Sequence, residues 1–391
     1  MSEKVRVDDV TSIFGPSPKK KALPLVREGV SKDDILRRTG HVVALADVSF
    51  SVPEGEVFVI MGLSGSGKST LVRCINRLIE PTTGKISIDG QDVLAADKDQ
   101  LRRIRRTKMA MVFQHFALFS HKTVLYNAAF GLKAKGVNKK ERQERAHETL
   151  RIVGLEEWGD RYPGSLSGGM KQRVGLARAL TTNPDILLMD EPFSALDPLI
   201  RRQMQDDLLK LQETIQKTVI FVTHDLDEAV KMGHRIAIMR DGRLIQVGTP
   251  EDIVTNPVDD YVEEFVQDVN RGHVVSVGSV MRTDENLVVG RDTVQTARQR
   301  LKDLTDNAFY VVNDEGKPVG LVTSESLDQA RGDGTDNLGQ MLQTDFPKVN
   351  ANASLREAYG MFSGILPLAV VNDEGNLVGQ ISPLHIVKGL Q

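Results

Sequence analysis

The sequence predicts an α/β fold, a mostly parallel sheet with helices on both faces and an inserted helical subdomain, followed by a smaller, duplicated α+β domain. Three observations predict it. Short apolar strands alternate with helix-like stretches, a glycine-rich turn joins one such strand to a helix, and a block near the end repeats itself.

Val57-Phe-Val-Ile-Met61 is rich in β-branched and aromatic residues and stops at the glycine-rich turn, after which Ser69 to Leu78 has helical apolar spacing. Further apolar strands are expected at Asp185–Met189, Thr218–Val222 and Arg235–Met239, with helices between them, so the sheet should be mostly parallel and covered on both faces. From Gly84 to Tyr162 the pattern is longer-helical and more charged, as in Asn138–Ile152, which places a helical subdomain over about 85–165. Thr255–His273, opening at Asn256-Pro257 and ending in Arg271-Gly272, reads as a linker helix. The region beyond it is duplicated. Val311-Val-Asn-Asp-Glu-Gly316 recurs letter for letter as Val370 to Gly375, and Val319-Gly320 as Val378-Gly379, at a constant offset of 59 residues. A helix-like stretch lies upstream in each copy, within Thr293–Leu304 and Ser354–Phe362, and Asn-Asp-Glu-Gly between apolar runs is a hairpin turn signal. Domains are therefore expected at 1–265 and 274–391, joined by a linker at 266–273, with repeats over about 274–332 and 333–391.

Composition permits this and excludes other classes. With 391 residues, 40% hydrophobic and 26% charged, the chain can build two or three ordinary globular cores. A formal charge of −3 gives no reason to expect a nucleic-acid partner, and a single cysteine, Cys74, excludes an internal disulfide framework. Met1 to Asp9 is charged and lacks the apolar core of a signal peptide, and no window approaches the roughly 18 apolar residues that span a bilayer. A cytosolic protein is expected, with any membrane role held by a partner subunit.

Gly62-Leu63-Ser64-Gly65-Ser66-Gly67-Lys68-Ser69-Thr70 is a full match to the P-loop pattern in the strand-to-helix context that it requires. Glycines let backbone N–H groups curl around a β-phosphate, the next helix directs its positive end at the anion, and Lys68 offers a mobile cation to the β- and γ-oxygens. Ser69 would place its hydroxyl on Mg²⁺. Asp190 and Glu191 end the strand that runs to Met189. Such a pair alone reads equally well as a solvated loop start. Beside a P-loop, Asp190 would serve the Mg²⁺ shell and Glu191 would polarise an attacking water. His224 likewise comes just after an apolar strand, where a neutral imidazole can reach a γ-phosphate oxygen or the attacking water.

Leu166-Ser-Gly-Gly-Met-Lys-Gln-Arg173 resembles the signature motif of ABC ATPases, and the resemblance covers roughly residues 5 to 265. It implies that Ser167, Gly168 and Gly169 cap a helix presented to ATP on a second subunit. It also implies that Gln114, in Met111-Val-Phe-Gln-His115, senses the metal and the permease contact, that Asp197 closes the D-loop, and that His224 is the switch histidine. Two departures stand out: Met170 replaces the usual glutamine, and His41 to Asp47 holds no aromatic residue to stack on adenine. Phe14 matches that role if residues from about Pro16 to Thr39 are an insertion, the alternative being a buried strand phenylalanine. Chromosome-type members of the family separate their Walker motifs by long coiled coils, whereas Asp190 comes only 128 positions after Gly62.

The insertion, Met170, Leu196-Asp197-Pro198-Leu-Ile-Arg201 and the repeated C-terminal domain resemble one branch, the ATPases that import glycine betaine, proline betaine and related quaternary amines; an importer for another small solute is the alternative. That resemblance implies hydrolysis of ATP with Mg²⁺, a homodimer of ATPase subunits, two transmembrane permease subunits, an external substrate-binding protein or domain, and a peripheral place on the cytoplasmic face of the inner membrane. Residues from about Val274 to Leu390 resemble tandem CBS modules, which bind adenine nucleotides or sense ionic conditions. The usual ribose-binding aspartate is absent: Thr323 is followed by Ser326, and Ser382 by His385. The domain is net acidic, yet Arg291, Arg298, Arg300 and Lys302 form a local basic run that reads either as a membrane-surface contact or as a solvated helix face.

Overall fold

The computed structural model describes residues 2–114, 117–283, 286–302, 308–333 and 337–390, and the chain forms two compact units. The first comprises Met1–Ile253 with Pro257–Gln267, and the second Val254–Asn256 with Asp268–Gln391.

The first unit is built on a six-stranded sheet of order β10-β9-β3-β8-β7-β6. Its central strands, β3 (Val57–Met61), β7 (Ile186–Asp190) and β8 (Thr218–Thr223), run parallel, and every residue in them is buried. That is what a strand covered on both faces demands, and it is why these three read as unbroken apolar runs. β6 (Met109–Val112) and β9 (Arg235–Arg240) extend the parallel set, and β10 (Arg243–Gly248) closes one edge antiparallel to β9. A second, antiparallel sheet has the order β2-β1-β4-β5, with β1 at Glu3–Phe14, β2 at Val42–Pro53, β4 at Thr83–Ile88 and β5 at Gln91–Asp92. Lys4 and Lys108 alternate with Asp89 and Asp185 at 2.9–3.3 Å and tie the two sheets together.

Between β1 and β2 lie three short helices, α1 (Pro18–Lys21), α2 (Leu23–Arg27) and α3 (Lys32–Thr39). α4 (Lys68–Ile75) leads out of the glycine-rich turn. It carries Cys74, fully buried, whose thiol burial pushes up to about 12. α5 (Lys98–Thr107) opens on a capping box of Asp97 and Gln100. α6 (Val124–Ala134), α7 (Lys139–Ile152) and α8 (Gly168–Leu180) share a separate core that includes Ala128, Leu150, Val174 and Ala177. α9 (Pro198–Ile215) and α10 (Leu226–Met232) come after β7 and β8 respectively.

Two expectations are corrected. The stretch from residue 85 is not helical from its start, because β4 and β5 carry the chain to Asp92 and β6 returns it to the six-stranded sheet at Met109–Val112. Lys85-Ile-Ser-Ile88 alternates over too few residues to stand out from the charged helix after it, yet Ile86 and Ile88 are buried against β1. Thr255–His273 is not one helix either. α11 (Pro250–Thr255), α12 (Asp260–Val266) and α13 (Arg271–Val274) replace it. Asp259 and Asn270 each accept from a backbone N–H, of Val262 and Gly272, and so start new helices instead of continuing an old one.

The second unit holds two three-stranded sheets of the same topology. β11 (Leu287–Val288), β12 (Ala308–Val312) and β13 (Pro318–Thr323) make the first, and β14 (Lys348–Asn350), β15 (Leu368–Val371) and β16 (Leu377–Ile381) the second. α14 (Val277–Val280) opens the unit's sheet-bearing part. α15 (Val294–Lys302) and α16 (Ser324–Asp333) flank the β12–β13 hairpin, as α17 (Leu355–Met361) and α18 (Pro383–Gly389) flank the β15–β16 hairpin. Leu304 and His115 lie outside the described residues. The duplicated turn is built twice over: Asn313 Oδ1 accepts from the N–H groups of Glu315 and Lys317, Asn372 Oδ1 from those of Glu374 and Asn376, and Gly316 and Gly375 adopt φ of 80° and 82°.

Candidate functional site

β3 ends at Met61, and the chain turns into α4 through Gly62 to Gly67. Only glycine fits the first position: φ is 147°, and a Cβ there would run into the Met239 carbonyl oxygen. A cavity of about 440 Å³ opens over this turn, lined by Ser64, Gly65, Gly67, Lys68, Ser69, Thr70 and Glu191 together with Phe14 and residues of α3 and β2. Lys68 is almost wholly buried, and its ammonium donates to the carbonyls of Gly62 at 2.7 Å and Leu63 at 3.0 Å. Burial holds its pKa below the usual lysine value, against the opposing pull of Glu191 and Asp190. Ser66 Oγ is buried without a hydrogen-bond partner. The glycine-rich backbone of the turn and the Lys68 ammonium make a donor set suited to phosphate oxygens.

At the end of β7, Asp190 is buried and bound from two sides, by Ser69 Oγ at 2.7 Å and by Arg73 Nη2 at 3.1 Å. Glu191, at φ 46°, turns the chain sharply, and its N–H is held by the Val222 carbonyl at 3.1 Å. The turn brings Glu191 Oε2 to 3.3 Å from His224 Nδ1, one residue beyond β8. Gln114 lies with the 191–197 loop, donating to Ser194 Oγ at 3.3 Å. Asp197 caps α9 by accepting from the Ile200 N–H.

Phe14 ends β1 directly opposite Val42 and is 44% exposed on the cavity, so the buried-strand alternative does not hold. Ser167 caps α8 by accepting from the Met170 N–H at 3.3 Å. Gly169 lies so close to α9 that a Cβ would stand 2.5 Å from Ile200 Cγ2. None of Ser167, Gly168 and Gly169 is among the residues lining the cavity.

The ABC transporter family model matches residues 45–194, and the CBS domain model matches 277–332 and 338–391. A glycine betaine transport ATP-binding protein of Bacillus subtilis (strain 168) is 48% identical over 377 residues, which is 96% of this chain and 90% of that protein. The chain belongs to the ABC transporter family. A glycine betaine/proline betaine transport system ATP-binding protein of Escherichia coli (strain K12) is 50% identical over 84% of this chain and 83% of its own length. Among solved structures, a dimeric ATP-binding cassette in a post-hydrolysis state bound to ADP and Pi matches at 36% identity and TM-score 0.53, covering 63% of this chain and 98% of its own.

Within this ABC cassette Lys68, Ser69 and Glu191 line the cavity, Asp190 joins them through Ser69 and His224 through Glu191, and the signature residues are not part of that lining. It also adds residues that sequence reasoning passed over. Arg73, one turn beyond Ser69 on α4, could have been found from helical spacing alone. Glu228 on α10 could not: it is buried, accepts from Thr223 Oγ1 at 2.6 Å and Gln205 Nε2 at 3.0 Å, and burial raises its pKa above the usual carboxylate value. Among the described residues no helix is long and apolar enough to cross a membrane.

Proposed function

We propose that this chain is the ATP-hydrolysing subunit of an importer for glycine betaine or related quaternary amines, peripheral to the cytoplasmic face of the membrane and coupled to two permease subunits and an external substrate-binding protein. The observation that carries the ATPase is the cluster in which Lys68, Ser69 and Glu191 line one cavity, with Asp190 bonded to Ser69 and His224 3.3 Å from Glu191. The relatives that span most of the chain support the solute class, since both are glycine betaine transport proteins by name.

ATP phosphates over the turn would draw the Lys68 ammonium off the Gly62 and Leu63 carbonyls and onto the β- and γ-oxygens. Ser64, Gly65, Ser66, Gly67 and Thr70 complete the cradle, and Phe14 faces the base. Ser69, Asp190 and Gln114 would hold Mg²⁺, an all-oxygen set suited to a hard cation, and the ion supplies charge neutralisation at the phosphates when bound. Glu191 orients the attacking water, and His224, held at 3.3 Å, keeps that carboxylate in place. Ser167, Gly168 and Gly169, which do not line their own chain's cavity, would complete the site of a second copy, with Asp197 at the shared boundary. Two dimeric structures of one cassette among the structural neighbours support that reading.

The proposed domains are the cassette at 1–265, a linker at 266–273, and CBS repeats over 274–391 that regulate transport. Ionic sensing fits the second unit better than mononucleotide binding. Where the ribose aspartate would stand, Ser326 bonds Thr323 and His385 bonds Ser382. In the basic run, Arg291 pairs with Asp314 and Arg298 with the Leu327 carbonyl. The deciding experiment reconstitutes the chain with its permease in vesicles and compares uptake of betaine, proline, carnitine and choline. ATP-dependent uptake of a quaternary amine is expected; uptake only of an unrelated solute would leave the ATPase role and overturn the substrate.

A further inference from the structure

Residues 16–39 supply no group to the hydrolytic cluster, yet they are built firmly. α1 to α3 share a small core with the strand ends, in which Ile13, Val26, Ile35 and Val43 are buried. Both ends of the segment are pinned through one ring. His41 is fully buried, with Nε2 2.9 Å from the Pro16 carbonyl oxygen and Nδ1 2.9 Å from that of Thr39. Gly15 passes so near that a Cβ on it would stand 2.5 Å from His41 Cδ2. A second tether joins Lys32 to Asp241 at 2.5 Å. The Asp241–Gly242 turn is itself bonded to the phosphate turn, Gly242 N–H to the Ser66 carbonyl at 3.1 Å, and to β2, Ala46 N–H to the Gly242 carbonyl at 2.9 Å. α3 is therefore fixed to the same backbone that shapes the glycine-rich turn.

One side of α3 lines the nucleotide cavity, through Lys32, Asp33 and Leu36. Three large apolar side chains there are open to solvent: Phe14 at 44%, Leu36 at 47% and Val42 at 50%. They come from three different elements, so their convergence is a product of the fold. Apolar surface left bare next to a phosphate-binding turn calls for a ligand that is apolar at one end and anionic at the other.

We propose that the insertion is a rigid bracket whose helix α3 forms a wall of the base subsite, with Leu36, Phe14 and Val42 packing on the purine of the bound nucleotide. This rests on the nucleotide reading of the cavity. Leu36 touches base and not phosphate, so it contributes affinity without entering the hydrolytic chemistry.

Titration calorimetry on the full chain, with ATP and with inorganic triphosphate as probes, tests this. Leu36→Ser should weaken ATP binding about tenfold, as expected for losing part of a leucine's burial, and leave triphosphate binding unchanged. Leu36→Met, which restores an apolar side chain of similar volume, should bind ATP as the wild type does. Thermal unfolding without nucleotide should be the same in all three proteins, since Leu36 is exposed. The proposal is overturned if Leu36→Ser binds ATP with wild-type affinity, or if it loses triphosphate and ATP equally. If the wild type binds neither probe, the nucleotide reading itself fails and this proposal falls with it.

Discussion

Glu191 occupies a backbone conformation that few residues other than glycine adopt, and the Val222 carbonyl and His224 hold it there. From this position the side chain lines the cavity. Glu191→Gln keeps the shape and removes the base; steady-state hydrolysis should drop by about 10²- to 10⁴-fold while equilibrium binding of ATP persists. Undiminished turnover would refute the role given to Glu191. Glu228, five residues beyond Thr223, calls for a different test. Its carboxyl holds a proton more tightly folded than unfolded, so its contribution to stability is fully present below the ordinary glutamate value and lost as pH rises through the raised one. Glu228→Gln has no such dependence. In urea titrations its stability relative to wild type should increase with pH across that window and then level off; a difference that does not vary with pH would mean that the folded protein does not raise the carboxyl's pKa.

Among the elements, β3, β7 and β8 were legible in the sequence because burial on both faces leaves their central residues apolar, and the polar residues at or just beyond their ends announce the site. β1 and β2 were not. β1 carries Asp8, Asp9, Thr11 and Ser12, its pairing with β2 slips at several bulges, and Asp9 takes a φ of 48°, so no period of two survives. α1 and α2 are too short for any helical period to show. Contacts such as Gln205 with Glu228 and Lys32 with Asp241 join residues far apart along the chain, and no local pattern encodes them. The packing of α8 on α9 is also of this kind, and it explains Gly169 in a way the signature motif alone does not. Gly169→Ala should cost about 1–3 kcal/mol in urea unfolding through overlap with Ile200. Adding Ile200→Ala should recover part of that loss, and strictly additive losses would show that the contact is not the cause.

For the whole molecule, the proposal that Ser167–Gly169 complete the site of a second copy requires each active site to draw on two copies. Lys68→Ala and Ser167→Arg should each abolish hydrolysis alone. Mixed, they form dimers in which one site carries both defects and the other carries none. In an equal mixture about half of the dimers are of this kind, so roughly a quarter of wild-type turnover should return if the sites act independently. No recovery at any mixing ratio would overturn the reading of shared sites that act independently. Observing the two copies approach one another needs a probe at a single chosen position, and the chain already provides the background for one. Its only cysteine is enclosed in α4 with the thiol held near 12, protonated and out of reach of maleimides at neutral pH. A cysteine introduced on an exposed surface would therefore take up dye alone, and interprobe distances across the dimer could be followed through the ATP cycle without first altering a native residue.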